Sequence, residues 1–199
     1  MTAEAAPRRG RPGYDRAQVL RIAVELFNER GYDATSVADL AQRLGLSKSA
    51  LYHHFDSKEQ LLSLALEEAL TGLETDLDDA VSRGGSAAES LNLLIRAAVL
   101  TLTRQQPQVT LLLRLRGNSP VELAALERRR AFDARVTALV RTAQADGQLR
   151  ADLDAGIATR LIFGMVNSVA EWYRPGGSIE PEQLGRDVIA LALDGLRPR

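Results

Sequence analysis

Lys48, Ser49, Tyr52, His53 and His54 gather charged nitrogens, imidazoles and hydroxyls in one short stretch, and Lys58 follows four residues later. Side chains of these types bind phosphate and reach the edges of bases. They do not form a catalytic set. His53 and His54 are the only histidines, and the chain has no cysteine. No Glu-x-x-His, glycine-rich phosphate loop or nucleophile elbow accompanies them. Acidic pairs such as Asp78-Asp79 lie on a polar helix face, where solvation accounts for them. A helical enzyme, such as a thioester hydrolase, is therefore the weakest reading. No catalytic residue, metal ligand or cofactor is assigned.

The elements that must hold these residues are two short helices joined through a glycine. Val37, Leu40, Ala41 and Leu44 fall at i, i+3, i+4 and i+7, one face of a helix. Gly45 can end it in the left-handed conformation. Ser47 caps a second helix, Lys48 to about His54. Leu51 and Phe55 turn to the core, and Lys48, Ser49, Tyr52 and His53 remain free to face outward. That arrangement presents a short polar helix to the DNA major groove.

The stretch Gly45-Leu-Ser-Lys-Ser-Ala-Leu-Tyr-His-His-Phe-Asp-Ser-Lys-Glu-Gln-Leu-Leu62 closely resembles the N-terminal signature of the TetR-type transcriptional repressors, over about Asp15 to Leu66. The resemblance implies a homodimer that binds an operator in double-stranded DNA and blocks transcription. Carried onto matching positions, it implies phosphate contacts from Thr35, Tyr52, His54 and Lys58. Lys48, Ser49 and His53 would approach base edges, beside the capping Ser47.

Composition agrees with a DNA-binding head on a larger body. The chain has 199 residues and a net charge of −1, so it is not basic throughout. Lys48 and Lys58 are its only lysines, and both fall in this segment. No apolar stretch approaches the roughly 20 residues of a membrane span, and the N-terminus has no signal-peptide pattern. A cytoplasmic protein with no membrane partner is expected. Residues 1–14 read as a flexible basic arm. Its Arg-Gly-Arg-Pro core resembles minor-groove arms of the AT-hook kind, with Arg11 able to enter a narrow A·T groove.

Residues 15–60 are predicted as the helix-turn-helix domain and 61–199 as a helical body, an all-α fold of about nine helices. Asp15 caps the first helix, which buries Val19, Ile22, Ala23, Leu26 and Phe27 and stops at Gly31. Thr35 or Ser36 caps the second. Ser57 with Gln60 forms a capping box for a fourth helix running to about Ser82, with Leu62, Ala65, Leu66, Ala69, Leu73, Leu77, Ala80 and Val81 inward. This helix spans both halves and can carry motion between them. Later helices are expected over about Ala87–Arg104, Gln108–Arg116, Val121–Asp146, Ala155–Tyr173 and Glu182–Leu196.

The body has two expected tasks, dimerisation and ligand sensing. Leu161, Met165 and Val169 with Leu184, Val188 and Leu191 form stripes on the last two helices that can pair with a second copy. The middle helices should enclose a pocket lined by Ile95, Leu102, Leu112, Arg114, Phe132, Phe163, Asn167 and Trp172. A buried Arg114 would need a partner, either a carboxylate such as Glu89 or Glu122 or an anionic ligand group. Gly164-Met-Val-Asn-Ser-Val-Ala-Glu-Trp-Tyr-Arg-Pro-Gly-Gly177 resembles the C-terminal segment of the TetR-type branch that controls fatty-acid, sterol and aromatic catabolism. That resemblance implies a small hydrophobic or acyl-CoA effector. Some of those regulators carry tryptophan where Asn167 stands and arginine where Phe163 stands. A multidrug-responsive repressor of an efflux pump is the alternative.

Overall fold

The computed structural model describes residues 14–197. Among them the chain forms nine α-helices and no strand. It divides between Leu61 and Leu62 into two compact units.

In the first unit, α1 (Arg16–Arg30) opens on a capping box: the Asp15 carboxylate accepts from the Gln18 backbone N–H at 2.7 Å, and the Gln18 side chain accepts from the Asp15 N–H. Gly31 stops it at φ +89°. Ser36, not Thr35, caps α2 (Val37–Leu44), with Asp39 completing a second capping box. The Ser36 hydroxyl, then its backbone N–H, then Arg30 hold the Asp39 carboxyl below its ordinary range. Gly45 adopts the left-handed conformation at φ 64° and ψ 30°, and Leu46 N–H closes the turn on Ala41 O at 2.9 Å. Next comes α3 (Lys48–Tyr52), two residues shorter than expected. His54 N–H bonds Leu51 O, tightening the chain into a turn there. Leu51 and Phe55 are buried with Val19, Phe27, Leu40 and Leu44.

The helix α4 (Lys58–Arg83) begins where Ser57 accepts from the Gln60 N–H. The Gln60 side chain accepts from Asp56 N–H, one residue before the position a regular capping box would use. In the second unit, α5 (Ala87–Arg104) is central and packs on α7 (Pro120–Ala145), α8 (Ala155–Trp172) and α9 (Pro181–Asp194). Leu91, Leu94, Ile95, Val99 and Leu102 are essentially inaccessible. Between α5 and α7 lies α6 (Gln106–Leu113). It starts two residues earlier than the pattern suggested because Pro107 fits the first turn, where its missing N–H costs nothing. Val81 lies on the outer side of α4, 49% exposed, and Leu70 is buried in the inward set.

Two polar devices fix the body. Glu122 is 3% exposed, and its Oε2 accepts from the backbone N–H groups of Arg116, Gly117 and Asn118 at 3.0, 2.8 and 3.3 Å. It thereby holds the loop between α6 and α7. Arg128 on α7 grips α4: its Nε and Nη2 reach the two oxygens of Glu74 at 2.9 and 2.7 Å, and its Nη1 bonds Glu67. Glu74 foremost pushes the guanidinium's pKa up, and the Thr71 hydroxyl, then Arg128, hold Glu67's carboxyl down.

Asp76 behaves oppositely. It accepts from the Thr101 hydroxyl at 2.7 Å, but burial outweighs that bond and pushes its carboxyl up from 3.8. A raised acid pKa favours the folded state below pH 3.8 and loses that advantage as pH rises through the folded value. Asp76→Asn keeps an acceptor for Thr101 and removes the buried charge. It is expected to raise the melting temperature at pH 7, with the gain fading as pH falls through the raised folded value and absent below pH 3.8; thermal unfolding across pH checks this.

Candidate functional site

The head presents a polar surface along α3. Ser47, Lys48, Ser49, Tyr52 and His53 are exposed, Tyr52 at 51%, and His54 is half-buried. Ser47 accepts from Ala50 N–H at 3.1 Å, which fixes the first turn of α3 and with it Lys48 and Ser49. Nearby arginines are spent on acids: Arg21 on Glu25, Arg30 on Asp39 and Arg43 on Glu29. Lys48 forms no ion pair among the described residues, so its charge stays available to an anion.

Two predicted phosphate-binding residues are turned inward, and a third predicted DNA-binding residue is not described. Thr35 is 1% exposed, and its hydroxyl donates to Gly31 O at 2.7 Å, so it does not present that group to phosphate. Lys58 donates to the carbonyls of Tyr32 and Thr35, each at 2.9 Å. Its ammonium also lies 4.1 Å from the centre of the Tyr32 ring. Arg11 lies outside the described residues.

In the body, a cavity of about 40 Å³ is enclosed by α4 (Leu70, Leu73, Glu74), α5 (Ala98, Leu102), α6 (Val109, Leu112, Leu113), α7 (Arg129, Phe132, Asp133) and α8 (Phe163, Val166, Asn167). One water's share of the liquid is about 30 Å³. The cavity is far below the roughly 300–1,000 Å³ of small-molecule pockets, so a ligand of that size would have to widen it. Phe132 and Phe163 meet edge-to-face at 5.3 Å and form its aromatic side. Arg129 Nη1 donates to Leu112 O at 3.2 Å, satisfying a carbonyl of the last turn of α6. Asp133 stands at the mouth. Desolvation by its surroundings pushes its carboxyl up, and Arg129 and Arg160 oppose that shift.

Leu102, Leu112, Phe132, Phe163 and Asn167 line this cavity, and three other residues expected in a ligand pocket do not. Ile95 is wholly buried, one turn along α5 from Ala98 and past the cavity's end. Arg114 follows the last turn of α6 and is exposed. Trp172 is 46% exposed; five residues beyond Asn167, it projects about 140° around α8. Arg129 and Asp133 were missed because the run Arg128-Arg-Arg130 reads as a solvated face. Their sequence signal is that Arg129 stands three residues before Phe132 and four before Asp133, so the three share one side of α7.

The expected dimer stripes also separate. Leu161 (68% exposed) and Leu191 (71%) are unpartnered, and Met165 is half-buried. Val169, Leu184 and Val188 are core residues of the chain itself. Within the chain α9 packs on α5, and at Gly185 an added Cβ would meet Arg96 Cγ at an ordinary contact distance of 3.6 Å. The outward face of α8 instead carries Ile157, Leu161, Met165 and Trp172.

Comparison with known proteins follows the same division. Residues 13–65 match the family model of bacterial regulatory proteins of the tetR family, and residues 84–196 match that of the tetracyclin repressor-like C-terminal domain. The chain belongs to the TetR family. It is a transcriptional regulator with a DNA-binding helix-turn-helix, not an enzyme. The HTH-type transcriptional repressor KstR2 of Mycolicibacterium smegmatis is 30% identical to this TetR-family chain, over 93% of the chain and 92% of the relative. The crystal structure of SCO3833, a TetR family member from Streptomyces coelicolor A3, is 46% identical, with a TM-score of 0.85 over 94% of this chain and 92% of that one. The structure of the ketosteroid transcriptional regulator KstR2 of Mycobacterium tuberculosis is 29% identical, with a TM-score of 0.84 over 92% and 95%.

Proposed function

We propose that this TetR-family regulator is a homodimeric repressor whose hold on operator DNA is released by a small hydrophobic effector of the acyl-CoA kind. The observation that carries the reading is the largely apolar, partly open cavity with Arg129, Asp133 and Asn167 among its lining residues. An acyl group would replace the void and spread the walls, and a polar head would engage those side chains. Because Leu70, Leu73 and Glu74 of α4 form one wall, displacement there moves the helix whose first turn, Lys58–Leu61, belongs to the head. The effector must then bind the released state more tightly than the DNA-bound one by the free energy it removes from DNA binding. The relation to regulators named KstR2, one described as ketosteroid-linked, supports an apolar effector.

On DNA, Lys48, Ser49 and His53 take the base edges, and Tyr52 and His54 the phosphates. Arg11 enters the minor groove. The exposed stripe Ile157–Leu161–Met165–Trp172 with Leu191 makes the dimer seam, which sets two heads about 34 Å apart. The protein acts in the cytoplasm, where the chromosome lies.

Thermal unfolding with a ligand panel tests the sensing half. An acyl-CoA thioester at 100 times its Kd is expected to stabilise the protein by about 2.7 kcal/mol, roughly 5–10 °C for a chain of this size. It should also release bound DNA. Melting is a more direct readout than Trp172 fluorescence, since Trp172 does not line the cavity. Binding of thioesters without any change in DNA affinity contradicts the reading. The efflux-pump alternative draws on Asp133 and the Phe132–Phe163 pair, which suit an organic cation. A response to cationic drugs alone selects it.

A further inference from the structure

We propose that Gln106 is a positioning residue that carries a displacement of α6, one wall of the cavity, to the last turn of α8. The use a regulator makes of this link rests on the reading of the cavity as the effector site. Gln106 is the first residue of α6 and is half-buried. A glutamine amide has two N–H donors. Gln106 spends both on α8: its Nε2 donates to Ala170 O at 2.9 Å and to Tyr173 O at 3.1 Å. These partners lie 64 and 67 positions along the chain.

The end of α8 calls for such donors. The last carbonyls of a helix have no partner within it. Tyr173 leaves the helical conformation at φ −64° and ψ 139°, and no basic residue stands in the last turn. Pro175 has no N–H to offer Glu171 O. Exposed Arg174 serves part of this end: its Nη1 donates to Glu171 O at 3.3 Å and shares Tyr173 O at 3.1 Å. Ala170 and Tyr173 are buried, where an unanswered carbonyl is costly.

The placement turns a cap into a link. Gln106, Val109 and Leu113 fall at i, i+3 and i+7 on α6, and the last two line the cavity. Phe163, Val166, Ala170 and Tyr173 fall at i, i+3, i+7 and i+10 along α8, and the first two line it. Gln106 therefore extends the α6–α8 wall past the cavity's end. Widening that moves α6 must break two hydrogen bonds or draw the carbonyls of Ala170 and Tyr173 along. Trp172 stands between those residues in the chain, 46% exposed. A filled cavity thus reaches the outward face of α8 at its Trp172 end without any contact between ligand and indole.

The test needs no added compound. Ala98 lines the cavity from α5 and is 1% exposed, so Ala98→Leu fills the space and presses on its walls. Gln106→Met keeps the length of the side chain and removes both donors. Wild type, the two single variants and the double variant are compared by hydrogen exchange of the Tyr173 amide, which bonds Val169 O at 2.9 Å. Trp172 emission is read in parallel, with light scattering confirming one oligomeric state throughout.

Gln106→Met is expected to speed Tyr173 exchange roughly tenfold. With Gln106 in place, Ala98→Leu is expected to change Tyr173 exchange by about threefold or more and to shift Trp172 emission; with Met there, it should change neither. A purely structural cap would leave the effect of Ala98→Leu the same in both backgrounds. That equality, or no response to Ala98→Leu in either background, overturns the proposal. Should Ala98→Leu fail to fold, Ala98→Val gives the same comparison with milder filling. Failure of every acyl-CoA thioester to bind would defeat the sensing reading, while these ligand-free comparisons would still decide the role of Gln106.

Discussion

Leu161→Glu is expected to separate the dimer and to lower operator affinity about 10²–10⁴-fold, the advantage that linking two half-site contacts provides. Leu161 is 68% exposed on the outward face of α8, outside the chain's own core, so the folded monomer should keep its melting temperature within a degree or two. Ile157 one turn before it is also exposed, Met165 one turn after it is half-buried, and Leu191 on α9 is exposed as well. A carboxylate there must be desolvated without a partner if two copies meet, which costs far more than burial of the leucine contributes. Sedimentation or light scattering gives the oligomeric state, and mobility shift gives the affinity. A Leu161→Glu protein that remains dimeric places the seam elsewhere. Val188→Glu is a poor substitute for this experiment: Val188 is 4% exposed inside the monomer, so the variant would unfold the body and report nothing about the seam.

Glu122→Ala is expected to cost about 2–3 kcal/mol of stability, because one carboxylate satisfies three backbone N–H groups and nothing else nearby replaces it. For a chain of this length that lowers the melting temperature by roughly 5–10 °C. Glu122→Gln retains an acceptor oxygen without its charge, and should recover about half of the loss. The loop it secures joins α6, a wall of the cavity, to α7, so the Ala variant should also weaken effector binding. Calorimetry of the three proteins checks the ranking. Equal stability for Glu122→Ala and wild type would mean that water replaces the carboxylate at all three N–H groups.

What the sequence disclosed and what it hid differ by range. The head is legible because its signals are local. Asp15, Ser36 and Ser47 cap helices from one to three residues away, and Gly31 and Gly45 stop them by backbone conformation. The exposed face of α3 follows from spacing once Leu51 and Phe55 are assigned to the core. Lys58 is the exception in this unit. Its partners lie 23 and 26 residues away, and no local pattern shows an ammonium turned back toward a preceding turn.

The body is legible as helices but not as surfaces. An apolar stripe does not say whether its own chain or a second copy covers it. Val169, Leu184 and Val188 proved to be covered by the chain, and Leu161 and Leu191 did not. Charged helices hide the reverse error. Along α7 most turns carry arginine or an acid, and only the three-dimensional register brings Arg129 and Asp133 to the cavity while Arg128 turns to Glu74. Trp172 and Arg114 looked like lining residues because of their chemistry, but both project from helix ends away from the enclosed walls.

The central claim, that the exposed face of α3 reads DNA sequence, is tested most directly by binding to duplexes that the wild-type protein selects from a random pool. Fluorescence anisotropy then compares wild type, Lys48→Ala and Tyr52→Ala on the selected duplex and on random duplex at one salt concentration. Selection is expected to enrich a sequence. Lys48→Ala is expected to lose about 1–3 kcal/mol of preference for that sequence, whereas Tyr52→Ala should weaken both duplexes alike. Failure to enrich any sequence, or equal losses on both duplexes for Lys48→Ala, would contradict the claim.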